Sequence, residues 1–276
     1  MRGAILAVVF LSSTALGGSK SLLPITTCGQ HVARWQVGVL QNDVQCPPSL
    51  VCTPVCPDIA LPCGDPYVPT ISCHATCGAD GRCTSAECPN ATDLCILPPG
   101  GSFVVGIDVE AGGEVGLNGH TLADAYYGIV SFSLGRVIGR ETVRGPGSVT
   151  GSHVALSAGK LTASDVTLSG NGLSIGSENG VKLTNVSITG GDSGVFASNG
   201  GKATNLTVTG AGSGIYSNRG FRLTDSSVTG NTVDITTFRV PRLVRSACDV
   251  SVRLVRDMSD PSTLDPAGPW GICSAD

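Results

Sequence analysis

Aromatic residues make up only 4% of the 276-residue chain, and charged residues only 14%. The net charge of −4 is too small to mark nucleic acid or a membrane surface as a partner, so neither is expected. Beyond the first dozen residues no apolar run is long enough to cross a bilayer. The chain has no Asp-Asp pair, and its histidines, His31, His74, His120 and His153, form no pattern with a nucleophile. What it has instead is 38 glycines and 12 cysteines, the composition of a turn-rich exported chain.

The N-terminus agrees. Met1-Arg-Gly-Ala-Ile-Leu-Ala-Val-Val-Phe-Leu11 places one positive charge before a short apolar core, and Thr14-Ala-Leu-Gly17 ends in small residues. Residues 1–18 therefore read as a signal peptide cleaved near Gly17 or Gly18. The mature chain is expected outside the cytoplasm, as a secreted, periplasmic or cell-surface monomer.

From 161 to 237 the sequence repeats every 20 residues. Gly170, Gly190, Gly210 and Gly230 occupy one position of the repeat, Asp165, Asn185, Asn205 and Asp225 another, and Ile175, Val195, Ile215 and Ile235 a third. A fixed period of about 20–50 residues marks an architecture in which each unit buries its apolar face against its neighbours. Within one unit, Leu183, Val186, Ile188 and Val195 are the inward candidates, and the apolar alternation slips by one residue at Asn185. Asn and Asp tolerate the left-handed conformation that such a corner needs. The same role accounts for two of the three Asn-x-Ser/Thr sequons, Asn185 and Asn205, while Asn90 falls in a loop. Three short strands joined by corners and stacked on the next unit make a parallel β-helix.

Leu183-Thr-Asn-Val-Ser-Ile-Thr-Gly190, Ala203-Thr-Asn-Leu-Thr-Val-Thr-Gly210 and Leu117-Asn-Gly-His-Thr-Leu122 carry a resemblance to the right-handed parallel β-helix proteins of the pectin-lyase-like superfamily, over about residues 100–237. The resemblance implies an all-β, right-handed solenoid. It does not extend to catalytic motifs. Gly119-His120 is followed by Thr121, and Asn231-Thr-Val-Asp234 carries one residue too many for the polygalacturonase-like pattern. Arg239-Val-Pro-Arg-Leu-Val244 resembles a pectate-lyase segment but ends in Val244 where arginine is required, and it is expected to lie outside the coils. No column of adjacent coils offers the two carboxylates that glycoside hydrolysis needs. No catalytic residue, metal or cofactor is therefore assigned; calcium would enter only if the protein were a lyase.

Ten cysteines, from Cys28 to Cys95, lie in or beside a Pro-, Gly- and Ser/Thr-rich stretch that cannot build its own core. Cys52-x3-Cys56 and Cys73-x3-Cys77 with His74 nearby have spacings compatible with zinc. An even count in an exported chain favours a disulfide framework, of undetermined connectivity. Residues 29–45 read as a first strand, with the cysteine-rich part inserted after it as a cap. From 102 to 151 the coils are less regular, and Arg136, Arg140 and Arg144 read as a solvated face. After Thr237 the period stops, and Cys248 is expected to pair with Cys273 across a tail that caps the last coil. The expected organisation is thus a signal peptide (1–18), an N-terminal cap with the insertion (19–99), the β-helix (100–237) and a C-terminal cap (238–276).

Two outward columns are candidates for binding. Lys182, Lys202 and Arg222 stack on successive coils, about 4.8 Å apart, where like charges repel and invite an anionic partner. Phe196 and Tyr216 stack on another strand, with Asp234 expected beside them. Aromatic faces suit sugar rings, and a carboxylate accepts hydroxyl bonds. The expected function is non-catalytic binding of extracellular or cell-surface polysaccharide. The alternatives are a polysaccharide lyase or glycoside hydrolase, and a structural or adhesive surface protein.

Overall fold

The computed structural model describes residues 20–47, 51–54, 93–96, 103–131, 140–256 and 264–276. The expected signal peptide, Arg136, and most of the cysteine-rich stretch, including His74 and Asn90, lie outside these residues.

The unit of the fold is one coil. Strand Val181–Thr189 holds Asn185 at φ 54°, and Asp165, Asn205 and Asp225 adopt φ values of 58°, 53° and 51° at the same place in their own coils. A left-handed residue turns the chain and shifts the alternation, so Val181 and Leu183 before it and Val186 and Ile188 after it all point inward. The corner side chains also bond along the stack. Asn185 Nδ2 donates to Asp165 Oδ1 at 2.8 Å, and Asn205 Nδ2 donates to Asn185 Oδ1 at 2.9 Å. Arg245, at φ 48°, continues the file by donating to both carboxylate oxygens of Asp225.

Stacked coils pair in parallel and in register. In the larger sheet Leu161, Val181, Gly201 and Phe221 form one file, and Val166, Val186 and Leu206 another. In the second sheet Ile107, Ile129, Leu156, Ile175, Val195, Ile215 and Ile235 form a continuous buried file. The core is therefore a row of aliphatic layers, each inward side chain worth roughly 1.5–3 kcal/mol. The protein is an all-β parallel solenoid with no helix among the described residues.

The parallel pairing runs beyond the span that the period suggests. Residues 29–45 are not one strand but three, Gln30–Val32, Gln36–Leu40 and Val44–Gln45, because Trp35 turns the chain at φ 67°. A further strand, Ser21–Ile25, pairs outside Gln36–Leu40. At the other end Arg242–Val244 pairs with Phe221–Thr224, so the segment around Pro241 lies within a coil and not outside it. Leu243 and Cys248 take the inward positions that Leu223 and Val228 hold one coil earlier, which preserves the period under a changed polar pattern. Only then does the repeat shorten, where Ile235 pairs with Ser251.

Gln30 lies beside Ile107, and Val44 beside Leu122. Parallel pairing of the stack is thus seen through Gln45 and again from Val105, on either side of the cysteine-rich segment. Within it Val51–Pro54 and Asp93–Ile96 pair antiparallel, with Cys52 opposite Cys95. Cys28 and Cys46 are disulfide-bonded across the first complete coil. Cys248 and Cys273 are bonded as the sequence predicts, with Cα atoms 4.9 Å apart. The tail they anchor covers the end of the second sheet. Leu264–Pro266 pairs antiparallel with Ser251–Arg256, and Trp270 Nε1 donates to Thr237 Oγ1 at 3.0 Å. The Asp276 carboxylate accepts from the backbone of Ser251, Ile272 and Cys273 and from the Ser251 hydroxyl. Burial works upward on this carboxyl, but those hydrogen bonds outweigh it and hold it down to about 2.

Val195 is fully buried, so Val195→Asp places an unpaired charge in the aliphatic file. Circular dichroism on heating is expected to show loss of the cooperative transition, and near-native unfolding would contradict the inward assignment. Replacing Cys248 and Cys273 together by Ala releases a loop with a sequence separation of 25. It is expected to cost about 3 kcal/mol in chemical denaturation, with the tail opening before the central coils. An unchanged denaturation midpoint would show that the tail does not support the stack.

Candidate functional site

The outer face of the larger sheet is divided by its corner. On one side, Lys182, Lys202, Arg222 and Arg242 are register neighbours on four coils, and all are exposed. The first three are the column expected from the sequence, and the fourth extends it. In earlier coils the same file holds Thr162, Thr142 and Glu114, whose carboxylate is taken by Lys20 at 2.5 Å and Arg144 at 3.4 Å. Arg144 is therefore an ion-pair partner and not simply solvated. None of the four cations in the column has an ion-pair partner among the described residues.

Lys182 and Lys202 of this column line a groove of about 590 Å³. Glu141, Thr142, Lys160 and Thr162 stand at one end, Lys182 and Lys202 form one side, and Asn179 and Asn199 form the other. Its floor is glycine. Gly180 and Gly200 adopt φ 98° and 81°, and a Cβ on either would come within 2.7 or 2.3 Å of the next coil's carbonyl oxygen. The floor is low because no side chain fits there.

The same turn continues in the next two coils with arginine in place of asparagine. Arg219 follows Asn199, and Arg239 follows Arg219, each 20 residues on and both exposed. The Cβ positions of Gly200 and Gly220 face those of Arg219 and Arg239 at 3.6 and 3.4 Å. Lys160, Lys182, Lys202, Arg219, Arg222, Arg239 and Arg242 thus gather seven of the chain's 17 basic residues on one face of a protein whose net charge is −4. Glu178 is the one exposed carboxylate on these turns among the described residues.

Beyond the Asp/Asn corner the same sheet is uncharged. Ser148, Thr167, Ser187, Thr207 and Ser227 form one outward file, and Thr150, Ser169, Thr189 and Thr209 a second.

Phe196 and Tyr216 stack on the second sheet with ring centroids 5.5 Å apart and planes 9° apart, both half-buried. Asp234 does not join them. Thr236 is the register neighbour of Tyr216, and Asp234 is fully buried on the inner side. Its Oδ1 accepts from Asn231 Nδ2 at 2.9 Å, and its Oδ2 accepts from the backbone of Asp249 at 2.6 Å and Val250 at 2.9 Å. It is the tie that lets the last coils close early, and it is unavailable to a ligand. A second aromatic group went unread in the sequence. Tyr126 lies 4.1 Å from Phe103 and stacks on His153 at 4.5 Å, centroid to centroid, while its phenol is held above the usual range, chiefly by burial. These residues are distant in sequence, and only the coil brings them together.

The remaining described histidines meet carboxylates. His31 lies between Asp108, at 2.9 Å, and Glu110, at 3.4 Å; the Asp108 hydrogen bond holds its pKa above the ordinary value. His120 lies 3.5 Å from Asp43. No group of three His, Cys, Asp or Glu is placed to hold a metal ion among the described residues.

Glu141 is the outlier of the interior. It holds the inward position that Leu161 holds one coil later, and neither oxygen has a hydrogen-bond partner. Burial pushes its carboxyl up to about 7, and the Ser131 hydroxyl nearby, which pulls the other way, does not reach hydrogen-bonding geometry. No repeat signal marks it, since it precedes the regular coils.

No protein-family model matches the chain, and no curated protein is a significant match. Among solved structures it is similar to the receptor-binding protein of bacteriophage Det7, a podoviral tailspike in a myovirus, at 10% identity and a TM-score of 0.35. The similarity covers 84% of this chain and 64% of the tailspike chain, so this chain spans less than two thirds of that protein. A likeness so distant carries no functional inference.

The native Glu141 carboxyl titrates at about 7 against an ordinary 4.5, so the folded state binds the extra proton between those values. Stability is therefore expected to fall as pH rises through that window and to level off above it. Glu141→Gln should be more stable than the parent by a few kcal/mol at pH 8 and equal to it at pH 4. Thermal melts at both values check this; the same gain at both would show that ionisation is not the cause.

Proposed function

We propose that the protein is an exported β-solenoid that binds an acidic polysaccharide of the extracellular medium or a cell surface. One observation carries the reading: a file of cations in consecutive coils, without ion-pair partners among the described residues, of which Lys182 and Lys202 line a glycine-floored groove. Their mutual repulsion is relieved when anionic groups dock between them, and the rigid stack holds their spacing. Exposed charge pairs are each worth about 0–1 kcal/mol and are screened by salt. Affinity then comes from the number of contacts along a polymer, not from a single pocket. The reading calls on no cofactor and no catalytic residue.

The Phe196–Tyr216 stack supports a second reading, a neutral sugar lying against the rings. The two surfaces lie on different sheets and can be tested separately. Binding of an acidic glycan is expected to be modest, to weaken as salt rises, and to fall further in the triple variant Lys182→Gln, Lys202→Gln, Arg222→Gln. Phe196→Ala with Tyr216→Ala should leave it unchanged; loss in that variant alone would favour the neutral-sugar reading. A glycan panel bound equally by parent, triple and double variants would move the structural or adhesive reading to first place. Unsaturated products or new reducing ends from any polysaccharide would favour a lyase or a glycoside hydrolase.

A further inference from the structure

The basic face changes chemistry along the stack. At the end nearer Lys160 the walls are Asn179 and Asn199 on one side and Lys182 and Lys202 on the other. Beyond the groove, on the next two coils, the corresponding positions are all arginine: Arg219 and Arg239 on the turn, Arg222 and Arg242 on the strand. Each of these coils contributes one arginine from the turn and one from the strand, three residues apart, and the coils are about 4.8 Å apart. Between them runs Gly220, followed one coil later by Val240, which is 62% exposed. The nearest corner carboxylate, Asp225, is already held by Arg245 through two hydrogen bonds, at 2.5 and 2.8 Å.

A lysine ammonium is a compact, strongly hydrated charge on a flexible stem. A guanidinium is planar, permanently charged and less hydrated, and offers two parallel donors to one oxyanion. Four of them on two adjoining coils form more than a region of positive potential. We infer that Arg219, Arg222, Arg239 and Arg242 are an oxyanion-reading subsite, in which forked guanidinium pairs hold the acidic groups of the polysaccharide while the Lys/Asn end holds the rest of the chain by charge and hydroxyl contacts. This rests on the proposed function and adds to it where the acidic groups sit and how they are recognised. Carboxylates of uronic acids and sulfate esters present the same paired oxygens, so both are ligands of this class.

The test separates fork recognition from charge. The parent chain, a quadruple Arg→Lys variant at 219, 222, 239 and 242, and the matching quadruple Arg→Gln variant are titrated with polygalacturonate, dextran sulfate and neutral dextran over a range of salt. All four positions are exposed, and unfolding curves confirm that the variants fold. The Arg→Lys variant keeps every charge, yet it is expected to lose about tenfold or more in affinity for the preferred polyanion, with little change in salt dependence. Lys182→Arg with Lys202→Arg should lose nothing. Tighter binding of polygalacturonate identifies the carboxylate as the source, and tighter binding of dextran sulfate the sulfate ester. If Arg→Lys binds like the parent while Arg→Gln does not, charge alone suffices; the subsite falls and the polyanion reading stands. If Arg→Gln also binds like the parent, the subsite falls, and the polyanion reading is decided by the Lys182, Lys202 and Arg222 triple variant.

Discussion

Register between parallel coils is the constraint on which everything else depends. Each coil hydrogen-bonds to the next over both sheets, so its shape must be copied by its neighbour. A residue added to one coil would turn part of its side chains from the core to solvent. The central coils meet this demand with a 20-residue repeat, and the left-handed Asp/Asn corner is the point that keeps it in phase. Because corner side chains bond to one another along the stack, the position that sets the shape also joins the coils.

The same constraint makes the outer face a ruler. Any outward side chain recurs at coil spacing, so a sequence choice made once becomes a file when it is repeated. Four such files coexist on the larger sheet: the cations, the Asp/Asn corner, and the two hydroxyl files beyond it. The aliphatic interior supplies the stability, and the outward residues contribute little to it. Several like charges are therefore tolerated in one line without loss of fold. Repulsion that a flexible surface would relax by moving apart is retained here.

Where the repeat is broken, polar groups enter the interior, with opposite consequences. Asp234 replaces Gly214 one coil on and is saturated by Asn231 and by the backbone of the shortened last coil, so it closes the stack. Glu141 stands in the file of Leu161 without a partner, and its charge is disfavoured. Burial is common to both; hydrogen-bond satisfaction separates them.

The solenoid, its inward file through Val195, the left-handed corners and the Cys248–Cys273 bridge were all legible in the sequence. Each is a local or strictly periodic feature, and a period of 20 converts sequence distance directly into contact. Lys182, Lys202 and Arg222 were legible as a column for the same reason. Arg242 obeys the same period but was hidden, because Pro241 and the arginines around it conceal a coil whose inward positions persist. Arg219 and Arg239 replace asparagines in a turn, where composition does not say which way the chain faces; only the stacked coils show that they stand beside Gly200 and Gly220, next to the cation file. Asp234 was misread for the complementary reason: side-chain direction near a shortened coil depends on the partner backbone of Asp249 and Val250, which no period supplies. Sequence alone determined the repeat, since periodic burial is written residue by residue. Tertiary structure decided which outward files share a groove and which polar side chains turn inward, because both depend on how one coil's corner sits against the next.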